Sequence, residues 1–281
     1  MYKKISGFSD EISENIDVQF ETLNRLGIKW FEPRGVNGIN IANLSDDERS
    51  RLLEKMNIYQ INVSSIGSPI GKVKIEEDYS EHFERFKRVV DTAEFLGTKY
   101  IRIFSFYHDS KEEWSNCERK EVLARLSKMI DYAKERDIVL LHENEKGIYG
   151  DTAERCLDLM QNLACANFKA VFDPANFIQC NEDVFNAYQQ LKPYIAYMHI
   201  KDADKNGNVV PAGYGKGHLE EILQDLFANG YDGFLSLEPH LGSFTGLSEL
   251  EPDDKMEKLE KSSEEKFVLA FDSLKNILER I

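Results

Sequence analysis

Short runs rich in Ile, Val, Phe and Tyr alternate along this chain with longer segments of helical period, and eight such pairs can be counted. Parallel strands can be rejoined only through long crossovers, so this alternation predicts parallel β-structure wrapped by helices. The strand candidates are KKISGFS, IKWFEPR, YQINVSSI, KYIRIFSF, IVLLHE, FKAVFD, IAYMHIK and GFLSLEP. Helical spacing is clear over 80–96, where Phe83, Phe86, Val90 and Ala93 share a stripe and Gly97 stands where a C-terminal cap belongs. It recurs over 118–135 with Val122, Leu126, Met129 and Ala133, and over 259–281 with Phe267, Phe271, Leu274 and Leu278.

Eight strand–helix pairs in roughly 250 residues fit an α/β fold of the closed (β/α)8 TIM barrel type, one domain over 1–281, with its working face at the carboxyl ends of the strands. A doubly wound open sheet is the competing fold. It usually carries a glycine fingerprint after the first strand, and GFSDEIS has none.

Four polar residues close strands that otherwise read as buried: Glu143 after IVLLH, Asp173 after FKAVF, His199 after IAYM and Glu238 after FLSL. Charged groups at such positions need compensation, and three carboxylates with one imidazole suit a hard or borderline divalent cation. Side chains two apart on a strand share a face, so Lys201 follows His199 inward, His240 follows Glu238, and His142 turns away from Glu143. Taken singly, a strand-end Glu or Asp is more often a helix cap or a surface ion pair, and a lone His a satisfied core group. Four in register on consecutive strands favour the metal site.

The net charge of −15 is densest over 249–265, a solvated acidic surface. Acidic balance disfavours nucleic acid, whose binding relies on cationic side chains displacing counterions. The opening MYKKISGFSDEIS lacks the apolar core of a signal peptide, and no run approaches the ~20 apolar residues of a membrane helix, so no membrane partner and a cytoplasmic location are expected. Cys117, Cys156, Cys165 and Cys180 have no CxxC pairing and read as reduced packing residues.

HENEKG, FDPANF, YMHIKDAD, PAGYGKG and FLSLEPHL, in that order, with SPIGK and the EPR of the second strand, resemble the xylose isomerase-like superfamily of sugar and sugar-phosphate isomerases and epimerases. The resemblance implies that Glu143, Asp173, His199 and Glu238 bind one divalent metal ion, Mn2+ first, then Co2+, Mg2+ or Zn2+. It also implies that Glu143 and Glu238 double as catalytic acid and base on a small carbohydrate. Relatives often carry histidine where Glu145 stands, and some ketose epimerases carry one where this chain has Asn176, three residues after the aspartate; both changes bear on the substrate rather than on the metal, and Asn176 is taken as substrate-binding.

The chemistry follows from the groups themselves. Removing a proton beside a carbonyl leaves an enediolate, which a cation touching both oxygens stabilises. Glutamates on opposite faces of the reacting carbon give epimerisation; transfer on one face to the neighbouring carbon gives aldose–ketose isomerisation. Lys201 and His240 are expected to hold substrate hydroxyls or polarise the carbonyl, with pairing of Lys201 to Asp202 or Asp204 at the surface as the alternative. Arg34 can grip a carboxylate or phosphate through two parallel hydrogen bonds, or simply pair with Glu32. Lys72 of SPIGK can meet an anion or merely lie in a turn, and PAGYGKG precedes a helix whose N-terminus can accept an anion. Trp30, Phe104, Phe106 and Trp114 form a sugar-facing wall or, more commonly for strand aromatics, core. Abasic-site endonucleases of the superfamily need more histidine ligands than His82, His108, His142, His199, His218 and His240 supply at strand ends. A keto-sugar or keto-inositol dehydratase, a non-catalytic sugar-binding barrel and homo-oligomerisation, which is common among metabolic barrels, remain open.

Overall fold

The computed structural model describes residue 2 and residues 4–108, 113–243 and 260–281. Eight parallel strands form the barrel: β1 Ile5–Gly7, β2 Trp30–Phe31, β3 Asn62–Val63, β4 Tyr100–Ile103, β5 Val139–Glu143, β6 Phe168–Phe172, β7 Ile195–Ile200 and β8 Phe234–Leu237. Six of them make a continuous sheet in the order β1-β8-β7-β6-β5-β4, and β2 pairs with β3 through Trp30↔Asn62 and Phe31↔Val63. The ring closes at two seams. The Glu32 N–H donates to the Gly7 carbonyl at 2.9 Å, and Ile66 bridges Ile101 in parallel.

IKWFEPR and YQINVSSI yield regular strands of only two residues each. Pro33 has no N–H for the ladder, and beyond Phe31 the two segments are held by separate bonds, Ser64 N–H to the Phe31 carbonyl and Gly67 N–H to the Pro33 carbonyl, both 2.9 Å.

The outer helices are α1 Ile16–Leu26, α2 Asp46–Tyr59, α3 Tyr79–Leu96, α4 Asn116–Lys134, α5 Ala153–Leu163, α6 Pro174–Gln179, α7 Val184–Leu191, α8 Leu219–Ala228 and α9 Glu264–Leu278. Their ends follow local chemistry. Capping boxes at Ser45/Glu48 and Ser115/Glu118 start α2 and α4, and Gly97 ends α3 in the left-handed region at φ 77°. The last helix begins five residues later than its apolar spacing suggests, because Ser243 pairs with the segment ahead of it: the Ser243 N–H donates to the Glu260 carbonyl and the Ser262 N–H to the Ser243 carbonyl. The densest part of the acidic stretch lies mostly outside the described residues. Of the cysteines, Cys156 is buried and Cys180 half-buried, whereas Cys117 and Cys165 are exposed and do not pack.

Strand parity divides the barrel interior into tiers. At the bottom, Leu141, Val171, Tyr197 and Phe234 cluster with Trp30 and Tyr100 against them. Above them lies a hydrogen-bonded polar tier of Ser6, Glu32, Ser64, Ser236 and the Tyr197 hydroxyl, where barrels usually carry branched aliphatic residues. The four strand-end residues stand above that tier.

Candidate metal centre and active site

Glu143 ends β5, Asp173 follows β6, His199 lies near the end of β7 and Glu238 follows β8. Parallel register brings these ends to one height, and one ligand atom from each lies within 4.8 Å of every other. Donors bonded at 2.0–2.2 Å to a single cation sit at most about 4.4 Å apart, so only small side-chain shifts separate this cluster from a coordination shell. His199 Nδ1 is 3.0 Å from Glu143 Oε1, 3.1 Å from Glu238 Oε2 and 3.9 Å from Asp173 Oδ2.

Each carboxylate is held from outside the cluster. Glu143 accepts from Arg102 Nη1 at 3.1 Å and Asn176 Nδ2 at 3.3 Å. Asp173 caps α6 by accepting the Asn176 N–H, while the Asn144 side chain bonds both its N–H and its carbonyl. Lys201 Nζ lies 3.0 Å from Asp173 and 3.3 Å from Glu238. Glu238 also meets His240 Nε2 at 3.2 Å and Arg34 Nη1 at 3.6 Å.

Burial pushes the Asp173 carboxyl up to about 8; Lys201 pulls the other way, and Glu238 and Glu143 add to the rise. Burial acts in the same sense on Glu238, but Lys201, His240 and His199 outweigh it and hold that group well below the usual carboxylate range. Burial lowers and the surrounding carboxylates Glu143, Glu32 and Glu238 raise the His199 imidazole, with the carboxylates prevailing. Three buried carboxylates thus meet the Lys201 ammonium, the His199 imidazole and the Arg102 guanidinium, with Arg34 at 3.6 Å from Glu238. The converging oxygen and nitrogen donor set fits a divalent cation.

Lys201 is 2 % exposed and turned inward, as parity predicts, rather than paired with Asp202 or Asp204 at the surface. Arg34 does not pair with Glu32: it binds Asp10 through two hydrogen bonds of 3.0 Å and reaches Glu11 at 3.3 Å. His240 is buried beside Glu238, and its main-chain N–H donates to Glu11 at 2.8 Å. Asn176 spends its amide hydrogens on Glu143 and on the Asn144 carbonyl. Lys72 is buried against Glu145 at 2.9 Å, over the Phe104 ring. PAGYGKG is not poised for an external anion, because the N–H groups of Gly213, Gly215 and Gly217 all donate to Asp202.

Arg102, Glu11 and Glu32 were not singled out as ligands or substrate contacts by the sequence pattern, and the pairing of Lys72 with Glu145 was not anticipated. One signal was present: Arg102 interrupts the apolar run KYIRIFSF and is 2 % exposed.

Residues 20–262 match the family of xylose isomerase-like TIM barrels, and the chain belongs to it. A 3-dehydroshikimate dehydratase of Bacillus anthracis is 22 % identical over 239 residues, covering 79 % of this chain and 83 % of that one. Among solved structures, the IOLI protein with a bound zinc atom superposes with a TM-score of 0.77 at 18 % identity, covering 99 % of this chain and 98 % of that one. D-allulose 3-epimerase from Methylomonas in complex with D-allulose gives 0.75 at 15 % identity, covering 99 % and 97 %. No helix among the described residues is long and apolar enough to cross a membrane.

Proposed function

We propose that the protein is a divalent-metal-dependent isomerase or epimerase of a sugar or sugar phosphate, moving a proton at the carbon beside a carbonyl. The observation that carries this reading is the convergence of Glu143, Asp173, His199 and Glu238 at the barrel mouth, with cationic side chains fixed behind them. When bound, the divalent cation, Mn2+ first as the family resemblance implies, would supply electrostatic stabilisation of negative charge developing on the substrate oxygens.

The chain's own groups divide the remaining work. Glu143 and Glu238 both approach His199 Nδ1, at 3.0 and 3.1 Å, and take the roles of proton acceptor and donor. Arg102 pins Glu143, and Arg34 with His240 pins Glu238, so each carboxylate is oriented before substrate arrives. Lys201 projects an ammonium between Asp173 and Glu238, where it can donate to a substrate oxygen. Asn176 and His240 line the same mouth and meet substrate hydroxyls.

Similarity to a 3-dehydroshikimate dehydratase over 79 % of the chain supports a second reading, dehydration after the same first proton abstraction. Incubation of metal-loaded protein with ketoses, aldoses and their phosphates in heavy water, followed by NMR, separates the outcomes. Deuterium beside the carbonyl with inversion selects epimerase, deuterium with carbonyl migration selects isomerase, and net loss of water selects dehydratase. Failure to bind any divalent ion, with no exchange in any substrate, would refute the metal-dependent reading.

A further inference from the structure

The two ring nitrogens of His199 meet different surroundings. Nδ1 faces Glu143 and Glu238, whereas Nε2 points down into the polar tier and has no hydrogen-bond partner among the described residues. Glu32 Oε2 lies 3.5 Å from that nitrogen. Among the described residues, His199 is the only basic group within ion-pair distance of Glu32.

Glu32 is 1 % exposed and firmly anchored. The Tyr197 hydroxyl donates to Oε2 at 2.8 Å and the Ser236 hydroxyl at 2.7 Å, while Oε1 has no hydrogen-bond partner. Tyr197 is tied in turn to Ser64 at 2.9 Å, and Ser64 to Ser6 at 2.6 Å. Residues on three strands, β1, β7 and β8, and just beyond two more, β2 and β3, therefore hold one carboxylate beneath one imidazole. Burying an ionised carboxylate is costly, and a glutamine would satisfy the two hydroxyl donors equally well. What a glutamine cannot supply is an anion able only to accept from Nε2.

We infer that Glu32 is a positioning residue for the metal centre: accepting the Nε2–H of His199 selects the tautomer whose Nδ1 lone pair faces Glu143, Asp173 and Glu238. The inference rests on the metal-dependent reading above. A ligating histidine commonly donates its other N–H to a carboxylate, and loss of such a partner typically weakens metal affinity about 10–100-fold.

The test compares wild type, Glu32→Gln and Tyr197→Phe by Zn2+ and Co2+ affinity in chelator competition, by ring 15N shifts of His199 in Zn2+-loaded protein, and by melting without metal. Glu32→Gln keeps an oxygen for the two hydroxyl donors but removes the negative charge beside Nε2, so the Nε2–H tautomer loses its charged acceptor. The expected result is affinity about 10–100-fold weaker, an altered His199 15N pattern and cobalt spectrum, and a metal-free melting temperature close to wild type. Tyr197→Phe keeps the Glu32 charge, removes one anchor and weakens affinity by less, which tests the inference even where Glu32→Gln does not fold. Unchanged affinity in both variants, with the wild-type tautomer retained, overturns the inference while leaving the metal centre standing. A wild type that binds neither ion overturns the metal-dependent reading and this inference together.

Discussion

Replacing Asp202 by asparagine changes one atom of a side chain whose two oxygens receive four backbone donors. Oδ1 accepts from Ala203 N–H at 2.9 Å and Gly217 N–H at 2.8 Å, and Oδ2 from Gly213 and Gly215 N–H, both at 2.9 Å. Asparagine keeps one oxygen. Its NH2 group then confronts two N–H donors in a space too tight to turn away, since a Cβ at Gly215 would lie 2.2 Å from Asp202 Oδ1 and 2.3 Å from the Ala203 carbonyl. Each orphaned buried donor costs about 1–3 kcal/mol, so the expected loss is about 2–6 kcal/mol. At about 2–4 °C per kcal/mol for chains of 150–250 residues, the melting temperature falls by roughly 4–24 °C. Thermal and urea unfolding of metal-free protein measure the loss. A drop below about 1 kcal/mol would show that these four contacts are not the anchor of the 211–217 loop.

Two further outcomes follow from the site and its surroundings. Glu143→Gln and Glu238→Gln are expected to lower deuterium exchange by roughly 10²–10⁴-fold while metal content falls far less, whereas His199→Ala chiefly empties the site; exchange rates with elemental analysis check both, and unchanged turnover removes that glutamate from the pair. Burial, aided by Arg85 and Arg125, holds the His82 imidazole down at about 4, and its Nε2 accepts the Gly71 N–H at 3.0 Å. The unfolded chain takes up this proton near the ordinary imidazole value of 6.5 and the folded chain only near 4, so protons favour unfolding. The His82 contribution is whole above 6.5, shrinks as pH falls towards 4 and amounts to at most about 3 kcal/mol; His82→Gln flattens that part of a stability–pH curve, and an unaltered curve counts against it.

The barrel was legible because its signals are local. Helical stripes and Gly97 are read within one segment, and α3 and α4 fall within two residues of their expected starts. The two short strands were overestimated, since β-propensity reports side chains that suit a sheet and says nothing of where the ladder loses its partner. Parity placed Lys201 and His240 inward because alternation is a local property as well.

The partners were not legible, because each pairing joins segments far apart in the chain. Arg34 reads equally well as a substrate grip or a mate for Glu32, and only the meeting of strand ends shows Asp10 and Glu11 there first. Ser6, Ser64 and Ser236 read as ordinary strand serines, yet together they occupy the tier that a purely structural barrel fills with aliphatic side chains. That substitution gives up apolar contact in the barrel centre and sets hydroxyls around Glu32 instead. An interior built in this way is organised around the Glu32 carboxylate, and polarity rises step by step from Phe234 through Ser236 to Glu238 along one face of a single strand and its end.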